Sequence, residues 1–169
     1  GIPTLPEYNE HILERFCYIP HEAFLNEGIS AETMGEFEIS YYDRDDAIVI
    51  PHRDIDGRLI GIRERHLDDW DIANYGKYTP VTINGVCLRH PLGDNLYGIH
   101  INQNKIRKIR KALLVEGEKS VMQNHTMFGD DDFSLAVCGS NISQTQIQLL
   151  LKTLGVAEVI LAFDKEYED

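Results

Sequence analysis

The sequence predicts a mixed α/β fold, in which an α+β N-terminal part precedes a parallel sheet with flanking helices. An Asp56-Gly57 pair lies between two apolar, β-branched segments within residues 47–65, which is typical of an antiparallel hairpin with a type I′ turn. From Lys111 onward, short apolar strands alternate with helix-like segments in the order β-α-β-α-β. That order calls for a parallel sheet with right-handed crossovers.

The segment before the hairpin has the pattern of short helices. Residues 8–27 carry spaced apolar side chains and predict one or two helices that end at Gly28. Ser30 has the position of an N-cap for a further short helix through Phe37. Residues 68–98 contain turn signals and short strand-like pieces, for which no pairing is predicted.

The C-terminal half provides the elements of the parallel sheet. A short basic helix is expected first, with its isoleucines inward, over Asn102–Arg110. Three strands and two helices then follow. The strands are predicted at Ala112–Val115, Leu135–Cys138 and Val159–Phe163, and the helices at Glu118–Asn124 and from a capping box at Ser143 and Gln146 to Gly155.

Composition places this chain of 169 residues among globular proteins, with 43% hydrophobic and 26% charged residues. No apolar run approaches the roughly 20 residues that a membrane span needs, and no secretory leader is recognisable. Three cysteines lie far apart without a CxxC spacing, which argues against a disulfide framework or a zinc site. The cysteine content is typical of a reducing cytoplasm, and we expect a cytoplasmic location with no membrane partner.

The net charge of −12 argues against binding to nucleic acid through overall charge. The charge is uneven, however, because "KIRKIRK" at 105–111 is strongly basic and four arginines fall between residues 53 and 65. Local charge matters more than the total, since salt limits the reach of exposed charges to about 10 Å. The basic helix is therefore either a DNA-backbone contact or an ordinary solvated helix face.

Carboxylates follow two of the predicted parallel strands. Glu116 comes directly after one strand, and Asp164 and Glu166 come directly after another. Because ligands of parallel sheets bind at the carboxyl ends of the strands, all three can share one edge. Their mutual repulsion would be relieved by a hard cation, for which Mg²⁺ or Mn²⁺ is suited. Such ions support phosphoryl or nucleotidyl transfer with one or two metals.

Gly117 fits a tight turn from strand to helix, which would leave backbone N–H groups near a helix N-terminus as a phosphate site. A simpler interpretation stays open at this point. Glu-Gly after a strand is common, and acidic residues near helix N-termini often serve only as caps.

Several motifs in order resemble the TOPRIM domain and flanking core of bacterial-type DNA primases. The acidic pair is carried by "ALLVEGEKSV" and "VILAFDKE", and the small-residue strand and helix between them by "AVCGSNISQTQIQLLLK". Ahead of these, "FLNEGISAETMGEFEISY", "IVIPHRDIDGRLIGIRERHL", "GKYTP" and "NLYGIHINQNKIRKIRKALLVEG" resemble consecutive primase segments. The resemblance extends over nearly the whole chain from about Phe24.

The resemblance implies a primase core that synthesises short RNA primers on single-stranded DNA during replication of a bacterial, phage or mobile-element genome. Glu116, Asp164 and Glu166 would be its catalytic and metal-binding residues, with Mg²⁺ or Mn²⁺. Nucleoside triphosphates and a DNA template would be its partners, and a replicative helicase would bind through regions outside this chain. The implied contacts to nucleotide phosphates are Gly117, Lys119 and Lys77; those to DNA are Arg53, Arg65, Lys77, Tyr78, Lys105, Arg107, Lys108 and Arg110.

The chain departs from the family in two ways. Ser120 stands where the family often has an aspartate, and the chain ends just after the second acidic motif, so that the TOPRIM part is expected to be incomplete. Accordingly, residues 1–108 are expected to form an N-terminal subdomain and residues 109–169 a truncated TOPRIM subdomain. Two alternatives remain for the function: a non-catalytic module that binds single-stranded DNA, and a TOPRIM-type nuclease. Without the family match, pairing with Asp54 or Glu64 is the preferred interpretation of the hairpin arginines.

Overall fold

The computed structural model describes residues 3–163. Contacts divide the chain into two compact units, of which the first is Leu5–His90 and the second begins at Pro91. The predicted subdomain boundary between residues 108 and 109 stays a prediction, because compactness alone does not show which segments fold independently. Among the described residues, no helix has the length and apolar character needed to span a membrane.

The first unit is an antiparallel sheet with short helices. Its sheet has the order β1-β2-β3-β4, and β5 and β6 form a separate two-stranded pair. The strands are β1 (Ser40–Tyr42), β2 (Ala47–Arg53), β3 (Leu59–His66), β4 (Tyr78–Pro80), β5 (Thr82–Ile83) and β6 (Val86–Cys87). The helices are a 3₁₀ helix (Glu10–Arg15), α1 (Glu22–Leu25), α2 (Ala31–Glu36) and α3 (Asp69–Tyr75).

The predicted hairpin over residues 47–65 is confirmed, but its turn is not type I′. Of Asp56 and Gly57, only Gly57 has a positive φ, of 82°. The Gly57 N–H donates to the Asp54 carbonyl, and the Asp54 N–H donates to the Arg58 carbonyl. The Asp54 carboxylate also accepts the N–H groups of Asp56 and Arg58, at 3.0 and 2.9 Å. The Asp54 carboxylate therefore bonds to backbone N–H groups inside the loop, and the loop includes more residues than a two-residue turn.

Burial in the first unit follows from the strand composition. Val49, Leu59 and Ile62 on the central strands pack with Phe16, which follows the 3₁₀ helix, and with Leu88, which follows β6. Ser30 is the predicted cap of α2, and its hydroxyl accepts the Thr33 N–H at 3.1 Å. The described helices of this unit are short, so their stability depends on this packing rather than on intrinsic propensity.

The second unit contains the predicted parallel sheet. Its strands are β7 (Lys111–Val115), β8 (Ser134–Ala136) and β9 (Glu158–Leu161), in the spatial order β8-β7-β9 with both pairings parallel. The helices are α4 (Ile99–Ile109), α5 (Glu118–Phe128) and α6 (Gln144–Gln148), with a π-helical continuation at Leu149–Thr153 and 3₁₀ helices at Leu92–Asp94 and Gly129–Asp131. The capping box at Ser143 and Gln146 is confirmed.

A buried polar network joins α4, α5 and β8. The Asp132 carboxylate accepts hydrogen bonds from Asn102 at 2.9 Å and from the Ser134 backbone N–H at 2.9 Å, and it lies 3.2 Å from His125 Nδ1. All of these residues are at most 4% exposed. Asp132, the last residue of the "GDDD" segment at 129–132, thus accepts hydrogen bonds from donors that would otherwise be buried without partners.

Candidate functional site

Glu116 follows the central strand of the parallel sheet at its carboxyl end. Its backbone carbonyl accepts a 2.7 Å hydrogen bond from the Cys138 N–H, which continues the pairing of β7 with β8. On the other side of β7, the Ala162 N–H donates to the Leu114 carbonyl and extends the pairing with β9. Glu116 is half-buried. The neighbouring strands therefore hold the backbone of Glu116 at the edge where the carboxyl ends of three strands meet.

Gly117 is the N-cap of α5, with φ −129° and ψ 168° and without a side-chain cap. This is extended backbone that any residue adopts, so the turn itself does not require glycine. A Cβ built at this position would have no atom within 4 Å. The chain at Gly117 is therefore not closely packed, although Glu118 in the first helical turn is 3% exposed. Lys119 lies half-buried in that turn.

The other two predicted metal ligands, Asp164 and Glu166, lie outside the described residues. The strand that leads to them is described, and it runs parallel to β7 with Leu161 opposite Leu114. Of the three acidic residues, Glu116 is therefore the one whose position the structure describes.

One face of the antiparallel sheet carries predicted DNA contacts, Arg65 and Tyr78, and a neighbouring arginine, Arg63. Arg65 on β3 lies directly opposite Tyr78 on β4. The guanidinium of Arg63, two residues before Arg65 on the same face, lies 5.5 Å from the centre of the Tyr78 ring. Lys77 is exposed directly before β4. We call Arg63, Arg65 and Tyr78 of this face, together with the adjacent Lys77, the basic face.

Arg53 was expected to contact DNA, but its contacts favour a structural role. Its guanidinium bonds Glu10 at 2.6 and 3.0 Å, Glu38 at 2.6 and 2.9 Å, and the Gly57 carbonyl at 2.8 Å. The side chain is 11% exposed. Hydrogen bonds to both carboxylates raise the pKa of Arg53 above its usual value. Its donors are therefore committed to acceptors within the same unit.

Most cationic side chains of the basic helix α4 bind acceptors within the second unit. Arg107 donates to the Thr153 carbonyl at 2.8 Å and Arg110 to the Gly155 carbonyl at 3.1 Å, at the C-terminal end of the α6 segment. Lys105 pairs with Asp131 at 3.1 Å. Lys108 is exposed. These contacts match the ordinary role of cations at helix ends, where carbonyls lack partners.

Sequence reasoning missed a polar site in the first unit. Glu64 was considered as a partner for the hairpin arginines, but it alternates with Arg63 and Arg65 along β3 and so faces the other side of the sheet. There it is 4% exposed and lies opposite Thr79. The strict two-residue alternation of a strand is the signal that could have separated it from the arginines.

Sequence comparison relates the chain to a prophage protein and to bacterial primases. It is 44% identical over 163 residues to "SPbeta prophage-derived uncharacterized protein YorJ" of Bacillus subtilis, covering 95% of this chain and 43% of that protein. It is 32% identical over 117 residues to a DNA primase of Streptomyces coelicolor, covering 68% of this chain and 17% of the primase. The chain thus spans less than half the length of these relatives. No protein-family model matches it.

Structure comparison gives the same relationship. One similar structure is that of the Aquifex aeolicus primase, which contains the zinc-binding and RNA polymerase domains. It superposes with a TM-score of 0.73 at 19% identity, and the match covers 92% of this chain and 46% of that structure. A DnaG primase catalytic domain bound to single-stranded DNA has a TM-score of 0.64 at 22% identity, covering 86% of this chain and 54% of that structure. The predicted resemblance is confirmed: this chain has the fold of a DNA primase catalytic core and is related in sequence to bacterial DNA primases.

Proposed function

We propose that this chain is part of a DNA primase that joins nucleotides into short RNA primers on single-stranded DNA. The observation that carries the proposal is the position of Glu116, at the carboxyl end of the central parallel strand in a primase-core fold. The strand next to it leads directly into Asp164 and Glu166. The genome that it serves would be bacterial, phage or mobile-element DNA.

The residues fit a divalent metal site of the primase type. Carboxylate oxygens are the ligands that Mg²⁺ and Mn²⁺ prefer, and Glu116, Asp164 and Glu166 would provide them, the last two following β9 in the sequence. A bound ion would stabilise charge on the attacking and leaving oxygens of nucleotidyl transfer. Backbone hydrogen bonds on both sides of β7 hold the backbone of Glu116 at this edge of the sheet.

Phosphates and template are assigned to two further sets of residues. The open N-terminus of α5 at Gly117, with Lys119 in its first turn, would bind a nucleotide phosphate. The basic face on the antiparallel sheet would bind the template, with Arg65 and Lys77 on phosphates and Tyr78 beside a base. Exposed Lys108 would add charge on the basic helix. Arg53, Lys105, Arg107 and Arg110 are left out of this proposal because their described contacts already explain them.

A primer-synthesis assay tests the proposal against its two alternatives. The full-length protein that carries this sequence is incubated with a single-stranded DNA template, labelled nucleoside triphosphates and Mg²⁺ or Mn²⁺. A primase produces labelled RNA oligomers that require both metal and template. Cleavage of the template without such oligomers identifies a nuclease instead. Template binding with neither product identifies a non-catalytic module.

A further inference from the structure

A polar cavity in the first unit lies on the sheet face opposite to the basic face. Its volume is about 790 Å³, within the range of small-molecule sites, and its mouth is open. The cavity is lined by Asp45, Glu64, His66, Tyr75, Thr79 and Asn84, with Arg44 as a cationic side chain. The lining thus combines hydrogen-bonding groups, an aromatic ring and a cation. None of these residues belongs to the metal site or the DNA contacts proposed above.

Two buried atoms in the wall of this cavity lack hydrogen-bond partners among the described residues. They are Oε2 of Glu64 and Nδ1 of His66, whose side chains are 5% and 7% exposed. The other ring nitrogen of His66 is 2.8 Å from the Thr79 hydroxyl, which fixes the ring. A buried polar atom without a partner destabilises the protein, so a ligand that pairs with these atoms gains affinity. Orphaned polar atoms in a cavity wall therefore point to a ligand.

The Glu64 carboxyl is neutral near pH 7. Burial, then a hydrogen bond with Asp45 and then the charges of Asp45 and Asp71 raise its pKa to about 9. The proton of this carboxyl is used in the hydrogen bond with Asp45, so the unpaired Oε2 is left as an acceptor. The unpaired Nδ1 of His66 is a donor when Nε2 accepts from the Thr79 hydroxyl. Its wider surroundings include His66 on the same strand, 3.7 Å away, and the Arg44 cation that lines the cavity.

We propose that this cavity binds a nucleobase, with the Glu64 carboxyl pairing to the base edge and Tyr75 stacking on the ring. Nucleobases carry a donor and an acceptor next to each other, which complements an acceptor at Glu64 Oε2 and a donor at His66 Nδ1. Tyr75 is 62% exposed, so its ring is accessible for stacking on the base. Arg44 in the cavity lining would face the attached phosphate.

The rival occupant is a divalent cation held by the same acidic residues. Asp45, Glu64 and His66 do not bring three ligand atoms close enough together to share one ion. The Arg44 cation would also oppose it. The two occupants need different forms of Glu64, because a cation needs the ionised carboxylate, whereas a base edge pairs with Oε2 of the protonated carboxyl.

Binding is measured by titration calorimetry on the full chain in EDTA, so that the proposed metal site makes no contribution. The probes are the four nucleoside monophosphates and a mixed-sequence 12-mer of single-stranded DNA with its abasic counterpart. Binding of the free nucleotides alone identifies a nucleotide site. Preference for the base-containing oligonucleotide over the abasic one identifies a base of the DNA strand. Because the phosphate site at Gly117 and the basic face could also bind these probes, either result supports the proposal when Glu64→Leu removes the binding. Absence of binding to all probes, or binding that Glu64→Leu leaves unchanged, overturns it.

Variants at Glu64 and Tyr75 test whether the base pairs with the Glu64 carboxyl and stacks on the Tyr75 ring. Glu64→Gln keeps a donor and an acceptor, so affinity should stay within about threefold, whereas Glu64→Leu should lower it at least tenfold. Tyr75→Ala, at an exposed position, should lower affinity about tenfold without affecting folding. Affinity of the unmodified chain should fall above pH 9, and that of Glu64→Gln should not. Equal loss in Glu64→Gln and Glu64→Leu, or Mn²⁺ binding that Glu64→Gln abolishes, would overturn the proposal.

Discussion

The backbone N–H of Cys138 donates a 2.7 Å hydrogen bond to the carbonyl of Glu116, one residue beyond the last paired residue of β7. This contact continues the sheet past its regular strands and fixes Glu116 through its backbone rather than its side chain. The carboxylate is therefore available for ligand binding without a cost to the fold.

Glu116→Gln is accordingly expected to leave the melting temperature within about 2 °C of the unmodified chain, since its backbone contacts remain. Mn²⁺ affinity, measured by calorimetry, should fall about tenfold or more because an amide is a weaker ligand than a carboxylate. Glu158→Gln is a matched control at the amino end of β9, where the side chain pairs with Lys111. A large loss of stability in Glu116→Gln with unchanged Mn²⁺ binding would make Glu116 a structural residue.

Arg65→Ala and Lys77→Ala should weaken binding to single-stranded DNA in a salt-dependent way. Each variant removes one phosphate contact, so the slope of log affinity against log salt concentration should become less negative by about 1. Fluorescence anisotropy over 50–300 mM salt measures this slope. Lys152→Ala removes the same charge at an exposed position of the second unit and should leave the slope unchanged. Equal slopes for all three variants would exclude the basic face from DNA binding.

Arg53→Lys should lower the free energy of unfolding by about 2 kcal/mol, because an ammonium cannot reproduce the forked contacts to Glu10 and Glu38. Urea denaturation measures the change. Arg58→Lys is the control, since that side chain is 57% exposed and its pairs with Asp54 and Asp56 are 3.6 and 3.4 Å long. Unchanged stability together with weaker DNA binding in Arg53→Lys would restore the original assignment to DNA.

Glu64 should make the stability of the protein fall as pH rises. Its pKa is raised from 4.5 to about 9 in the folded state. Between these values the unfolded chain has lost this proton and the folded chain retains it, so folding becomes less favourable with increasing pH. Glu64→Gln lacks the effect. The two proteins should be equally stable near pH 4, and the variant should gain an advantage that grows up to pH 9. An advantage that is constant across this range would contradict the raised pKa.

Much of the fold follows from local sequence signals. The parallel sheet was predictable because a capping box, a glycine after the last helix and three short apolar strands give a β-α-β-α-β order. Few chain topologies are compatible with that order. Glu116 was predictable for the same reason, since the residue after such a strand lies at the ligand-binding edge. The conformation of the Asp54 loop was not predictable, because it depends on the hydrogen bond from the Asp56 N–H to the Asp54 side chain.

Long-range partners explain the remaining differences. Arg53 resembled a DNA contact because its acceptors Glu10 and Glu38 are 43 and 15 residues away in the sequence. Arg107 and Arg110 bond carbonyls about 45 residues further along the chain. Charge clusters in a sequence do not show which cations already have partners in the fold. Arg65 of the basic face also has one, since it donates to the His66 carbonyl at 2.8 Å.

Primer synthesis by the full-length protein tests the central claim most directly, when the unmodified form is compared with Glu116→Gln, Asp164→Asn and the Glu158→Gln control. The assay uses single-stranded DNA, labelled nucleoside triphosphates and Mn²⁺, with EDTA as the blank. The account predicts metal-dependent primers from the unmodified and control proteins, and a loss of at least a hundredfold in the two site variants. Primer yields unchanged by both Glu116→Gln and Asp164→Asn would contradict it.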